Sequence, residues 1–235
     1  MNASKRPRFA IYFAPAEQDA LSSVGASWLG RDARSGYAVA RPDLPGISRE
    51  RLAELTERPG FYGFHATLKA PFCLKKGLSL GALEERCSRV ASEMEAVPAI
   101  ALEISELDGF LALMTAAPLA ALHSLAAACV ESFDDLREPL TPEERKRNLG
   151  RGLSEVQAAL LDRWGYPYVM EEFRFHMTLT SRLSEPERSE VKASARDHFG
   201  VALEPPVTLD ALSLFAQPDG SVPFREIGRY VLALG

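Results

Sequence analysis

Two short segments of the sequence share an unusual pattern of residue types. Residues 64–68 and 175–179 both read Phe-His-x-Thr-Leu, in a chain that contains only four histidines. Apolar and polar residues alternate in each segment, which predicts β-strands whose polar side chains lie on one face. Matching polar faces in two separate strands are hard to explain by core packing, so the recurrence favours a functional role.

The two motifs supply the groups needed for a displacement at phosphorus. One neutral imidazole removes a proton from the attacking water, and the other, as imidazolium, protonates the leaving oxygen. Histidine suits both roles because its ordinary pKa of about 6.5 lies near neutral pH. The threonine hydroxyls can donate hydrogen bonds to the phosphoryl oxygens, where negative charge is stabilised. The predicted catalytic residues, with the acid and the base unassigned, are His65, Thr67, His176 and Thr178.

Five further residues are predicted to bind the substrate. Strand alternation places Lys69, Arg174 and Thr180 on the same faces as the histidines, where the two cations would attract an anion. Tyr12 and Tyr62 are candidates for stacking on a base or a sugar, and core packing is the alternative explanation for each.

A metal site is the main chemical rival to this interpretation. Two histidines from separate strands could bind zinc, but a third protein ligand would be expected. No Asp, Glu or Cys adjoins either motif on the polar face, and Thr and Lys are poor transition-metal ligands. We therefore predict no metal and no cofactor. A metal-dependent phosphodiesterase stays open as an alternative, as does a module that binds a phosphosugar or nucleotide without turning it over.

The composition is that of an ordinary soluble protein. The chain has 235 residues and a net charge of −5, with 46% hydrophobic and 25% charged residues. The acidic balance argues against an extended nucleic-acid surface and leaves a small phosphate ester as the predicted partner. No stretch approaches the 18 apolar residues of a membrane span, and no convincing signal peptide is found. Three cysteines without metal or disulfide spacing complete the prediction of a cytoplasmic protein. The sequence does not specify an oligomeric state.

The order of predicted elements indicates an α+β fold in one two-lobed domain, residues 1–235. After each histidine come a helix, a proline (Pro98 or Pro206), a strand, a turn and a second strand. This repeat, near residues 62–116 and 172–235, predicts an internal duplication with a pseudo-twofold axis. Such an axis would bring the two histidines together in a cleft between the lobes, where small-molecule sites are common.

Local signals predict the elements that position the motifs. The two motif strands are predicted over residues 62–72 and 171–182. Ser48 is predicted to cap a helix that ends before a turn at Pro59-Gly60, and Asp108-Gly109 is predicted to form a hairpin turn.

The paired motifs resemble those of the two-histidine (2H) phosphoesterase superfamily, which includes LigT-like cyclic phosphodiesterases. Residues 8–15, 62–72 and 164–180 resemble a bacterial branch that is known as a domain of unknown function and named a putative phosphonate metabolism protein. The resemblance covers nearly the whole chain. It implies a duplicated fold in which antiparallel sheets surround a central cleft, with helices outside. It also implies metal-independent opening of a cyclic phosphodiester, of the ribosyl cyclic phosphate or nucleoside 2′,3′-cyclic phosphate type, by the four motif residues.

Overall fold

The computed structural model describes residues 6–233, which form an α+β fold. The strands are β1 (Arg8–Phe13), β2 (Ala66–Phe72), β3 (Val97–Ile100), β4 (Leu102–Leu107), β5 (Phe110–Thr115), β6 (His176–Thr178), β7 (Val207–Leu209), β8 (Ala211–Gln217) and β9 (Arg225–Val231). The helices are α1 (Ala20–Leu29), α2 (Arg49–Tyr62), α3 (Leu80–Glu93), α4 (Ala120–Ser132), α5 (Pro142–Leu149), α6 (Glu155–Trp164) and α7 (Glu185–Leu203). None of these helices combines the length and the apolar character needed to cross a bilayer.

Seven strands form one antiparallel sheet in the order β4-β5-β6-β2-β1-β8-β9, while β3 and β7 pair with each other. Helices α3, α4 and α7 contact the strands, and α1 packs against α7. The main apolar cluster lies between helices and sheet. The predicted α+β class and antiparallel sheet are confirmed, and the two motif strands are direct neighbours at the centre of the sheet.

Strand β1 is buried on both faces, which explains its continuous apolar sequence. Phe9, Ile11 and Phe13 belong to the main core under the helices. Ala10 and Tyr12 point to the opposite face and join a smaller aromatic cluster. We call this second face, which also carries the first histidine motif, the cleft face.

A β-bulge in β2 interrupts the alternation of its side chains. Tyr12 of β1 pairs with Thr67, but the preceding residue Ile11 pairs with Lys69, so two residues of β2 span one of β1. Paired residues share a face of the sheet. Thr67 therefore lies on the cleft face with Tyr12, whereas Lys69 lies on the core face with Ile11.

Helix α2 continues through the predicted turn at Pro59-Gly60 and ends at Tyr62, so that prediction is wrong, although Ser48 caps the helix as predicted. Proline has no N–H, so the carbonyl of Leu55 lacks its helical partner. The backbone N–H of Ser181, just beyond β6, donates to that carbonyl at 2.7 Å. The proline thus attaches α2 to the segment that follows the second motif.

The second motif strand is much shorter than residues 171–182. A 3₁₀ turn, Met170–Glu172, precedes it, and β6 covers only His176–Thr178. Beyond Thr178, the backbone N–H groups of Leu179 and Thr180 both donate to the carbonyl of Leu111, at 2.8 and 3.3 Å. Two donors on one acceptor end the regular ladder.

Candidate active site

The two motifs meet where β2 pairs with β6. Ala66 and Met177 form the antiparallel pair between these strands, and each is the middle residue of a His-x-Thr motif. Continuing the register by one residue in each direction sets the histidine of each strand opposite the threonine of the other. The resulting cross-strand pairs are His65–Thr178 and Thr67–His176. Side chains directly opposite lie ~4.5–5.5 Å apart and diagonal ones ~7–8 Å, so the histidines occupy opposite corners of a four-residue cluster.

Both histidines are oriented by the same kind of hydrogen bond. The Nδ1–H of His65 donates to the carbonyl of Gly63 at 2.9 Å, and that of His176 donates to the carbonyl of Arg174 at 2.7 Å. A carbonyl oxygen can only accept, so Nδ1 carries the proton and Nε2 holds the lone pair of each neutral ring. The Thr67 hydroxyl lies 3.3 Å from Nε2 of His65. Nε2 is therefore the nitrogen available for proton transfer in both rings.

Gly63 sets the position of the first histidine. It ends α2 with φ of 89° and ψ of 174°, a left-handed value of φ that favours glycine. A Cβ at this position would lie 2.7 Å from the Cβ of Ala33, closer than packed atoms can approach. The turn that presents the carbonyl to His65 thus requires glycine.

Aromatic rings surround His65. Tyr12, which is 1% exposed, stacks on the imidazole with ring centroids 3.8 Å apart and planes at 23°. The ring of Tyr62 lies 6.4 Å from His65 and stacks on Phe224 at 5.3 Å. The structure therefore brings both predicted tyrosines beside the first histidine. Tyr12 is buried and packs directly against the imidazole, so the alternative of core packing holds for it, and the prediction that it stacks on substrate is wrong.

Burial keeps the imidazoles neutral. It lowers the pKa of His65 to about 4, against the opposing effect of the Gly63 hydrogen bond, and the charge of His176 lowers it further. Burial also lowers the pKa of His176; the bond to Arg174 and the charge of Asp108 raise it, and the Arg174 charge lowers it. A bound anion would favour the protonated form of either ring.

Arg174 supplies a cation beside the second histidine. Its side chain is exposed, and within residues 6–233 no acidic side chain pairs with it. Its backbone carbonyl accepts the hydrogen bond that orients His176. The guanidinium therefore belongs to the residue two positions before that histidine. The binding role of Arg174 stays a prediction.

The comparisons with known proteins give the family of the chain. The family model described as "Protein of unknown function (DUF1045)" matches residues 67–225, well over half of the sequence. The chain belongs to the DUF1045 family. The matched region contains Thr67, His176 and Thr178, and it confirms the resemblance to a bacterial branch of unknown function.

Two curated proteins match this DUF1045 chain closely. It is 37% identical over 230 residues to the protein named ribose 1,5-bisphosphate phosphokinase PhnN of Janthinobacterium sp. (strain Marseille), covering 96% of this chain and 51% of that protein. It is 36% identical over 219 residues to the protein of the same name from Laribacter hongkongensis (strain HLHK9), covering 93% and 50%. The chain thus spans about half the length of these relatives. Among solved structures, it is similar to E. coli LigT complexed with 3′-AMP, with a TM-score of 0.41 and 12% identity over 97% of this chain and 98% of that one.

Lys69 of this DUF1045 protein does not lie at the site, and the prediction that it shares the face of His65 is wrong. Its side chain is buried on the core face, where Nζ donates to the carbonyl of Val130 at 2.8 Å and to Asp134 at 3.2 Å. Burial lowers the pKa of Lys69 to about 8, although Asp134 opposes the shift. The bulge in β2 is the cause, because it turns Lys69 to the other face.

The prediction that Thr180 binds substrate is also wrong. Thr180 is 1% exposed, and its hydroxyl accepts a hydrogen bond from the backbone N–H of Leu111 at 3.0 Å. The strand alternation used for the prediction ends at Thr178. Thr180 instead closes the end of the β5–β6 ladder.

The sequence interpretation missed Asp108. Together with Gly109 it forms the predicted hairpin turn, and the pairing of Leu107 with Phe110 confirms it. The carboxylate also acts electrostatically on His176, and the ring of Phe110 lies 6.0 Å from that imidazole. The Asp-Gly turn signal predicts only the hairpin and does not indicate the electrostatic interaction of Asp108 with His176. Within residues 6–233, no cluster of three His, Cys, Asp or Glu side chains could hold a metal ion.

Proposed function

We propose that this DUF1045 protein is a phosphoesterase that opens a cyclic phosphodiester with a pair of histidines as general acid and base. The observation that carries the proposal is the antiparallel pairing of Ala66 with Met177, which sets two imidazoles and two hydroxyls in one cluster. The matching Nδ1–carbonyl bonds support it further, because both rings then offer the same nitrogen for proton transfer.

His65 is the proposed base and His176 the proposed acid. The low pKa of His65, about 4, leaves its Nε2 free to take a proton from water at neutral pH. The water oxygen forms a bond to phosphorus, one ester P–O bond breaks, and the leaving oxygen takes the proton from Nε2 of His176. The nearby carboxylate of Asp108 favours the imidazolium that this step needs. Each proton transfer is worth ~10²–10⁴ in rate, and Thr67 and Thr178 hold the phosphoryl oxygens.

The proposed substrate is a small ribosyl cyclic phosphate, with nucleoside 2′,3′-cyclic phosphates as the alternative. Opening a ribosyl cyclic phosphate yields a ribose phosphate monoester, the class of compound named in the curated relatives. This supports the role in phosphonate metabolism that the sequence resemblance implies. Tyr62 and Arg174 are the proposed substrate-binding residues, whereas Tyr12 is proposed to act only by packing against His65. The reaction is proposed to need no metal or cofactor and to take place in the cytoplasm, without extended nucleic-acid contacts.

We assign no kinase activity to this chain. The relatives named as phosphokinases are about twice its length, and the sequence contains no G-x-x-x-x-G-K-[ST] phosphate-binding motif. We propose that the phosphokinase activity of those proteins lies in their other half.

We also propose that the domain has two lobes that meet at the β2–β6 pair. That pair divides the sheet into β4-β5-β6 and β2-β1-β8-β9, with one His-x-Thr motif at the inner edge of each part. The pairing of β3 with β7 is consistent with a pseudo-twofold relation, since these strands contain Pro98 or follow Pro206 in the two proposed repeats.

Turnover of a panel of cyclic phosphates tests the proposed function. Ribose cyclic phosphate and nucleoside 2′,3′-cyclic phosphates are assayed with the wild type, His65→Ala, His176→Ala and the control His123→Ala, each with and without EDTA. His123 packs edge-on against Phe173, outside the cluster, so its removal should leave kcat unchanged. We expect a loss of ~100-fold or more in each cluster variant and no effect of EDTA. Full activity in either variant would overturn the mechanism, and inhibition by EDTA would show a metal requirement. Binding without turnover would favour the non-catalytic binding module.

A further inference from the structure

Strand β1 carries a cation on the cleft face, Arg8, in addition to Arg174 beside the second histidine. Residues two apart share a face, so Arg8 lies on the same side of the strand as Tyr12. Its guanidinium lies over the ring of Phe224, 5.3 Å from the ring centroid, and Phe224 in turn stacks on Tyr62. The charge also acts electrostatically on Tyr12. Arg8 is therefore part of the aromatic wall beside His65.

The position of the Arg8 guanidinium is fixed by a neutral group. Its Nε donates to Oε1 of Gln217 at 2.8 Å, and Nη2 donates to the same oxygen. Gln217 is fully buried, and its own Nε2 donates to the carbonyl of Val222 at 2.6 Å, so Oε1 is held towards the arginine. An amide orients the guanidinium but leaves its charge uncompensated.

No carboxylate neutralises Arg8 within the described part of the chain. Other arginines near the sheet are paired: Arg34 with Glu226 at 2.9 Å and Arg229 with Asp210 at 2.6 Å. Two of the five N–H donors of Arg8 are used by Gln217, which leaves three for a ligand. A rigid, half-buried and unneutralised guanidinium is suited to binding an anion.

Arg8 and Arg174 lie at the same end of the site. Strands β1 and β6 each pair antiparallel with β2, so they run in the same direction. Arg8 precedes Tyr12 by four residues, about 13 Å along the strand, and Arg174 precedes His176 by two, about 7 Å. Thr67 pairs with Tyr12 and lies opposite His176, so Tyr12 and His176 lie in the same row across the sheet. Both distances along the strands are measured from that row.

We propose that Arg8 forms a second anion subsite that binds a phosphate monoester on the substrate. This inference rests on the proposed function, in which the histidine cluster holds the cyclic phosphate. The substrate is then a phosphosugar with two phosphates, one cyclic at the histidines and one terminal at Arg8, with its sugar against Tyr62.

Equilibrium binding of two ribose phosphates tests the subsite without requiring turnover. Isothermal titration compares ribose 1,5-bisphosphate with ribose 1-phosphate, which differ only in the terminal phosphate. We expect the wild type to bind the bisphosphate about tenfold or more tightly, and Arg8→Gln to lose that difference while its urea midpoint shows that it is folded. Arg8→Lys keeps the charge without the planar fork and should retain part of the difference. The matched control Arg49→Gln removes an exposed arginine paired with Asp43 and should keep all of it.

The other outcomes distinguish failure of the subsite from failure of the proposed function. Equal affinities in the wild type, or binding of neither ligand, would overturn it, as would an unchanged difference in folded Arg8→Gln. Turnover of cyclic phosphates with no preference for the bisphosphate would leave the proposed function in place and remove only the second subsite. A preference that depends on Arg8, without turnover of any cyclic phosphate, would support the subsite and remove the proposed reaction.

Discussion

Tyr12 lies flat against His65, with ring centroids 3.8 Å apart. The tyrosine covers one face of the imidazole, and burial is the largest cause of the low pKa of His65. A residue on β1 thus contributes to the burial of a residue that follows α2. The contact also restricts the ring to the orientation in which Nδ1 meets the carbonyl of Gly63.

Removal of the stacking ring should raise the pKa of His65. In Tyr12→Ala, water reaches the exposed face of the imidazole, and we expect the pKa to rise from about 4 towards its ordinary value of 6.5. Tyr12→Phe keeps the ring and should leave the pKa nearly unchanged. Histidine NMR titration of both variants measures this shift. An equal pKa in Tyr12→Ala and the wild type would show that Tyr12 is not the source of the burial.

The low pKa of His65 should also make the fold sensitive to acid. The folded pKa is about 4 and the unfolded value about 6.5, so between these values the unfolded chain binds more protons. The contribution of His65 to stability is complete above pH 6.5 and is lost as the pH falls to 4. Its upper limit is about 3.4 kcal/mol, which is lowered by a discount for the part of the ring that faces water.

Urea unfolding of the wild type and of His65→Gln at about pH 7 and about pH 4.5 checks this contribution. The carboxylates titrate in both proteins, so their effect cancels in the comparison. The free energy of unfolding should fall further with acid in the wild type than in His65→Gln. Parallel losses in the two proteins would contradict the assigned pKa. His176 shifts in the same direction and stays present in both.

Substitution of Lys69 should lower stability, whereas substitution of Arg174 should weaken substrate binding. Lys69→Met breaks a buried ion pair with Asp134, which keeps Arg137 as a partner at 2.9 Å. We expect a loss of about 2 kcal/mol or more in the free energy of unfolding, with kcat unchanged in the folded protein. Arg174→Met removes an exposed cation and should raise KM without lowering stability. Denaturation and steady-state kinetics of both variants distinguish the roles, and a raised KM in Lys69→Met would place that residue at the site after all.

The Thr180 hydroxyl should matter for folding and not for binding. Thr180→Val keeps the shape but leaves the backbone N–H of Leu111 without its acceptor, which should cost ~1–3 kcal/mol in unfolding free energy. Thr180→Ser retains the oxygen and should lose much less. Urea midpoints of the two variants measure this difference. If both are as stable as the wild type while KM rises in Thr180→Val, the structural role assigned here is incorrect.

The strands that carry the motifs could be predicted because period-two alternation is a local property. Both Phe-His-x-Thr-Leu segments alternate regularly, and their apolar residues are buried while each His and Thr is partly exposed, as the alternation predicts. The position of Lys69 could not be predicted in this way. Its face depends on a bulge that arises from the pairing of β1 with β2, and that pairing joins segments far apart in the sequence.

The remaining misses share this non-local origin. Proline and glycine at 59 and 60 are a turn signal by composition, but Ser181 satisfies the carbonyl that the proline leaves free, and the helix continues. Arg8 belongs to a plain strand pattern in the sequence. Its environment is formed by Gln217 and Phe224, which lie more than 200 residues later in the sequence.

The pairing of β2 with β6 also has a consequence for how the protein forms. The two histidines that it brings together are separated by 111 residues, so closing the contact costs loop-closure entropy, and we expect it among the late steps of folding. A nascent chain lacks the second of the two histidines until residue 176 has left the ribosome. The proposed activity therefore requires closure of the centre of the sheet, and its recovery during refolding would report on that closure.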